Sequence, residues 1–181
     1  RFLRVTRTDT DFCQYYEGPN PLFYDVVLCP TCGYAFSEES HESLNPQTQK
    51  ALRDFCAGQE KREYAVPRTL DDALELFRRA IACQEARGAR PSIRARLYLK
   101  LAWLYRYRGD AAGEQEALAA ALRHFTEAFQ LEQAGDPKQE LNLLYLIGEL
   151  NRRLGRTDEA IRWFGRVINH PAKERNRLVL N

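Results

Sequence analysis

The chain has 181 residues, of which 44% are hydrophobic and 29% charged, and a net charge of only +2. That length fits one ordinary domain, or a small head on a larger body with a sizeable core. The composition excludes a disordered chain, no apolar run approaches the roughly 18–20 residues of a membrane span, and the net charge is too small to argue for nucleic acid. Arginines outnumber lysines 22 to 5; arginine grips carboxylate and phosphate in a bidentate way, although a GC-rich genome gives the same bias. The chain begins on Arg1 and contains no methionine, so a missing upstream piece is expected. Five cysteines, an odd number spread unevenly along the chain, suit a reducing compartment better than a disulfide framework, and a cytoplasmic location is expected.

Residues 1–36 read as a β-rich head. Phe2, Leu3 and Val5 alternate with Arg4 and Thr6 as a first strand, and Thr8 to Asp11 is turn-like. Gly18-Pro19-Asn20-Pro21 is a breaker cluster, and the apolar run Phe23–Leu28 is a second strand. That strand ends in Cys29-Pro30-Thr31-Cys32-Gly33, a Cys-x-x-Cys-Gly knuckle. Its tight turn lets two thiolates converge on one ion while the glycine allows backbone N–H groups to face sulfur. Zinc takes four ligands and this is one pair. Cys13 is a candidate third thiolate and His41 a distant fourth ligand, but burial beside Phe12 is the commoner fate for a cysteine such as Cys13. A thioredoxin-like role fits poorly, because there the Cys-x-x-Cys opens a helix, whereas here it closes a strand.

Residues 37–181 read as helical. Asn45-Pro46 starts a helix that is expected to run through Leu52, Phe55 and Cys56 to about Tyr64. Thr69 caps a second, with Asp71 and Asp72 in its first turn and an apolar face of Leu70, Ala73, Leu74, Phe77, Ala80 and Ile81. Gly88 and Pro91 mark its stop. Ser92 is expected to cap a third helix with the face Leu97, Leu101, Leu104 and Tyr105, ending at Gly109-Asp110. A fourth carries Leu118, Ala121, Leu122, Phe125 and Phe129. After a polar linker from Gln133 to Gln139 come two last helices, about 139–154 and 157–169, split at Leu154-Gly155-Arg156. Cys56 and Cys83 fall on helix faces without partners, as core residues; His124 is expected on a helix surface and His170 at a helix C-terminus.

The last pair reads Tyr145-Leu146-Ile147-Gly148-Glu149-Leu150, then Ala160, Phe164 and Val167. A large residue and a glycine on one helix face a small residue and an aromatic on the next, which resembles the tetratricopeptide (TPR) pattern. Ala102, Tyr105 and Gly109 repeat the first-helix signature; Leu70, Ala73, Phe77 and Ala80 repeat the second. The fold expected is therefore mainly α: a TPR-like antiparallel helix array with a small N-terminal zinc-ribbon-like β head.

The run Asp11-Phe12-Cys13, Tyr16, Gly18, Asn20-Pro21, Tyr24-Asp25-Val26 and Cys29-Pro30-x-Cys32-Gly33-Tyr34-Ala35, with Leu101–Arg106, Gly109-Asp110 and Tyr145–Leu150, resembles a bacterial family of uncharacterised proteins. That family joins a zinc-ribbon-like N-terminus to a TPR-like body. The resemblance implies a further Cys-x-x-Cys upstream of Arg1 to complete a zinc site, and it implies no activity.

There is no Ser-His-Asp order, no glycine-rich phosphate loop and no His-Glu-x-x-His, so no residue argues for an enzyme. In a TPR-like body the first helices line a concave surface for a partner segment. Its expected lining is Arg96, Trp103 and Arg106 on one helix and Asn142, Tyr145, Glu149 and Arg152 on the other, a mix favoured at binding hot spots and suited to an acidic peptide or a terminal carboxylate. Burial under a neighbouring helix is the alternative for Trp103 and Tyr145. The expected function is a non-enzymatic adaptor for a protein or peptide partner, with a structural zinc head. The alternatives are a nucleic-acid-binding zinc ribbon, disfavoured by acidic residues interleaved with the arginines, and a thiol or zinc redox sensor.

Overall fold

The computed structural model describes residues 3–38, 44–59, 62–64, 66–132 and 135–172. His41 lies outside them. Two short antiparallel hairpins come first: β1 (Arg4–Thr8) with β2 (Gln14–Glu17), and β3 (Val26–Leu28) with β4 (Ala35–Ser37). The strand expected over Phe23–Leu28 is shorter than its apolar run suggests. The Asn20 side chain accepts from the Leu22 N–H, Pro21 fixes the first residue, and Pro21–Tyr24 winds into a 3-10 turn. Only Val26–Leu28 is left to pair, with Val26 opposite Ser37 and Leu28 opposite Ala35. A hairpin this small cannot bury a core of its own. Val26 and Ala35 instead join the main hydrophobic core, built from Leu52 and Cys56 and the apolar faces of the helices that follow.

Six helices follow among the described residues: α1 (Pro46–Ala57), α2 (Leu70–Ala86), α3 (Pro91–Arg108), α4 (Ala111–Leu131), α5 (Pro137–Arg153) and α6 (Thr157–Ile168). The molecule is mainly helical, and each helix packs on the next in chain order. α1 stops at Gly58 rather than near Tyr64, with the Gly58 N–H turned back onto Cys56 O. α2 opens with a capping box: the Thr69 hydroxyl accepts from the Asp72 N–H, and the Asp72 carboxylate accepts from the Thr69 N–H. α3 begins at Pro91, one residue before its expected cap. Arg90 is the N-cap and its side chain makes no capping bond, while Ser92 lies inside the first turn with its N–H taken by Glu132 Oε1 at 2.8 Å. Gly109, at φ 77°, ends α3 in the left-handed conformation, and the Asp110 carboxylate caps α4.

Two glycines permit close helix approach. A Cβ on Gly148 of α5 would lie 2.8 Å from the Phe164 ring of α6, and one on Gly113 of α4 would lie 2.6 Å from the Tyr105 ring of α3. His124 is buried on α4, not on a surface: its ring stacks on Tyr98 with centroids 5.5 Å apart, and burial lowers its pKa. Cys56 and Cys83 are core residues, and they have a partner in each other, with sulfurs 3.9 Å apart.

The two hairpins hang on different helices. The second lies on α2 and the residues just before it: the Arg68 guanidinium, ahead of the helix, donates to Phe23 O and Val26 O at 3.2 and 2.8 Å, Arg79 Nε donates to Gly33 O at 2.9 Å, and Gln84 Nε2 donates to the Tyr34 hydroxyl at 3.2 Å. The first lies across α3 and α5, at the candidate site.

Candidate functional site

The tip of the β1–β2 hairpin is a tight turn. Phe12 N–H donates to Asp9 O and Asp9 N–H to Cys13 O, with Phe12 itself in the left-handed region at φ 69°. This geometry projects Asp9, Thr10, Asp11 and Phe12 together into the groove between α3 and α5.

There they meet residues that the sequence marks as expected partner contacts. Trp103 Nε1 donates to Asp11 Oδ2 at 3.1 Å. Arg106 grips Asp11 with both terminal nitrogens, at 2.7 and 3.1 Å, reaches Asp9 at 2.9 Å, and uses Nε on Glu114 at 2.8 Å. From α5, the Tyr145 hydroxyl donates to Thr10 O at 2.9 Å and the Glu149 carboxylate accepts from the Thr10 hydroxyl. Arg152 and Arg153 hold Glu149 at 2.7 and 2.9 Å, and Phe12 packs on the Tyr145 ring at 5.5 Å between centroids. Arg96 lies exposed two turns before Trp103, and Asn142 lies half-buried one turn before Tyr145. Five of the seven expected groove residues thus converge on one acidic turn of the same chain.

The sequence reading missed Asp9, Thr10, Asp11, Glu114 and Arg153. Arg153 was open to inference: Tyr145, Glu149 and Arg153 recur at i, i+4 and i+8 and share one helical stripe. Arg153 Nη2 lies 3.3 Å from Asp11, and its side chain is far less exposed than that of Arg152.

Asp11 is 0% exposed and Glu149 2%. Burial alone would raise both carboxyl pKa values. For Asp11, the hydrogen bonds and charge of Arg106, with Arg153 and Trp103, outweigh burial and hold the group below the ordinary carboxylate range. For Glu149, Arg152, the Thr10 hydroxyl and Arg153 do the same. As pH falls, the unfolded chain takes up these protons before the folded chain does. The stabilisation is therefore complete above the ordinary carboxylate range and is lost as pH drops through the depressed folded values. Thermal melts between pH 6 and 2.5 should show Tm falling steeply below about pH 4, with the fall flattened in Asp11→Asn; parallel curves for the two proteins would show that Asp11 does not drive it.

The residues of the whole chain, 1–181, match the model of a family described as "Uncharacterized protein conserved in bacteria (DUF2225)". The chain belongs to this family. No curated protein and no solved structure matches it.

The expected metal ligands of this DUF2225 chain lie apart from the groove. Cys29 and Cys32 sit in the turn between β3 and β4, where Gly33 N–H donates to Cys29 O and Cys29 N–H to Tyr34 O, both at 2.8 Å. Backbone N–H groups of Cys32 and Thr31 lower the Cys29 thiol pKa, which suits a thiolate ligand. Cys13 is fully buried at the hairpin tip, where its thiol donates to the Tyr107 hydroxyl at 3.3 Å and burial pushes its pKa up to about 11. Among the described residues, no three Cys, His, Asp or Glu side chains are gathered closely enough to hold a metal ion. His170 Nε2 lies 3.6 Å from Glu140 at the far end of the helical body.

No helix among the described residues is long and apolar enough to cross a membrane.

Proposed function

We propose that this protein is a non-enzymatic interaction module. Its TPR-like helical body binds a segment of another protein along the α3–α5 face, and its zinc-ribbon-like head is held by a structural metal. The binding role rests on one observation: the α3–α5 groove already accommodates a peptide turn through side-chain contacts of specific geometry, an arginine fork on Asp11, an indole N–H on the same carboxylate and a tyrosine on Thr10 O. Bidentate arginine and ring contacts of this kind are what peptide recognition uses. The TPR-like character is supported by the glycine–aromatic approaches Gly148–Phe164 and Gly113–Tyr105, one within each of the α5–α6 and α3–α4 pairs.

Cys29 and Cys32 fit zinc as half of a ligand set: two thiols on one tight turn, one with a lowered pKa. They would hold the ion together with two further ligands, since zinc takes four. Zinc would cross-link the β3–β4 turn to whatever segment supplies them.

Two measurements test these roles separately. Elemental analysis of the full-length protein should give about one zinc per chain on the four-ligand argument; a folded, metal-free product overturns the structural metal. A partner captured on the immobilised protein should bind at least tenfold more weakly to Arg96→Ala/Arg152→Ala, two exposed positions beside the groove. Equal affinity, or the absence of any stable partner, overturns the interaction role.

A further inference from the structure

We propose that the Asp9–Phe12 hairpin tip is a resident ligand in a binding site for acidic turns, and that a partner must displace it to bind. The inference rests on the interaction role just given and names the chemistry of the partner segment: two carboxylates one residue apart, then an aromatic ring, Asp-x-Asp-aromatic.

Charge complementarity identifies that segment. Arg106 and Arg153 converge on Asp11 from two different helices, and Arg106 also takes Asp9. Trp103 adds a neutral donor to the same Asp11 carboxylate, and the Tyr145 ring receives Phe12. A basic or wholly apolar segment would take the Asp9 and Asp11 carboxylates away and leave Arg106 with Glu114 alone and Arg153 with Glu149 alone, a loss of buried pairing that is unfavourable.

The hairpin is also built to be displaceable. β1 is exposed along its entire length, and β1 and β2 form a sheet of their own, not joined to β3–β4. An isolated two-stranded hairpin is marginal in water, so its order depends on its contacts with α3 and α5. Its link to the rest of the head is the breaker segment Gly18–Asn20, where Gly18 has φ 99° and open space around it. A tethered ligand acts at an effective concentration of about millimolar. The resident tip therefore masks the groove against weak or non-acidic segments and yields to a partner that binds more tightly or is locally concentrated.

The test uses the full chain and a synthetic peptide of its own residues 4–17, fluorescently labelled and kept reduced. Asp9→Asn/Asp11→Asn removes the carboxylates of the resident tip and leaves the groove intact. This variant should bind the peptide at least tenfold more tightly than the wild type does. A peptide carrying the Asp11→Asn change should not bind, and affinity should fall as salt is raised. Equal binding by variant and wild type, or indifference to the peptide's Asp11, overturns the proposal.

Should the double variant be unfolded by circular dichroism, hydrogen exchange on the wild type decides. Excess peptide should speed exchange of the chain's own β1 and β2 amides severalfold while α3 and α5 stay protected, and unchanged exchange overturns the proposal. A captured partner that the peptide fails to displace overturns the acidic-turn site but leaves the interaction role standing. Peptide binding in the absence of any stable partner upholds the site and counts against that role.

Discussion

Arg106→Ala should lower stability by about 3–5 kcal/mol, the cost of breaking a buried ion pair from one side. For a chain of this size that is a fall in Tm of roughly 10 °C, measured by circular dichroism. The effect is large because of what stays behind. Asp11 is fully buried, and Arg106 supplies two of its hydrogen bonds as well as the nearest positive charge. Trp103 and Arg153 remain and soften the loss, while Asp9 and Glu114 lose a partner at the same time. Replacing both members of the pair, Arg106→Met with Asp11→Asn, should cost less than the two single changes added together, because no unpaired charge is then buried. Strict additivity would show that Arg106 and Asp11 do not stabilise the fold as a pair. Trp103 provides a local probe: its indole N–H bonds to Asp11, so its fluorescence should shift to longer wavelength in Arg106→Ala as the hairpin tip loosens and water enters.

Gly148→Leu should be comparably damaging for a purely steric reason. Its Cβ alone would lie 2.8 Å from the Phe164 ring, well inside contact distance, and three more carbons follow. Overpacking typically costs 1–3 kcal/mol. This site should reach the upper end or beyond, because relief requires α6 to move away from α5. Glycine within a helix is itself unfavourable by roughly 0.5–1 kcal/mol relative to alanine, so Gly148→Ala recovers some stability while introducing the same first clash. The smaller change should therefore be mildly destabilising, and Phe164→Leu should partly rescue it. Thermal melts of the four proteins check the order. Gly148→Leu melting with the wild type would remove close approach as the reason for glycine at this position.

Sequence periodicity made the helical body legible where local chemistry and packing agree. Thr69 and Asp72 start α2, Gly109-Asp110 divides α3 from α4, and Leu154-Gly155-Arg156 divides α5 from α6. The head was harder to read. β2 and β4 are only four and three residues long, too short for alternation to stand out, and the apolar Phe23-Tyr24 went into a turn that Asn20 and Pro21 nucleate. His124 carried no sign of burial, because what encloses it includes Tyr98 from a different helix. The groove residues were found by asking which positions lie off the core face. What could not be read was that Asp9–Phe12, more than 90 residues earlier in the chain, would fill the groove they line. Pairing between a turn and a distant helix face has no local signal; only the complementary charges, two aspartates and two arginines, hint at it.

That distance along the chain also has a consequence in time. Thr10 and its partner Glu149 are 139 residues apart. During synthesis at about 5–20 residues per second, the hairpin tip emerges roughly 7–28 s before α5 exists to receive it. α3 can take Asp11 through Trp103 and Arg106 as soon as it emerges, but Thr10 and Phe12 wait the whole interval for Glu149 and Tyr145, so the tip of the nascent hairpin is only half supported until α5 is made.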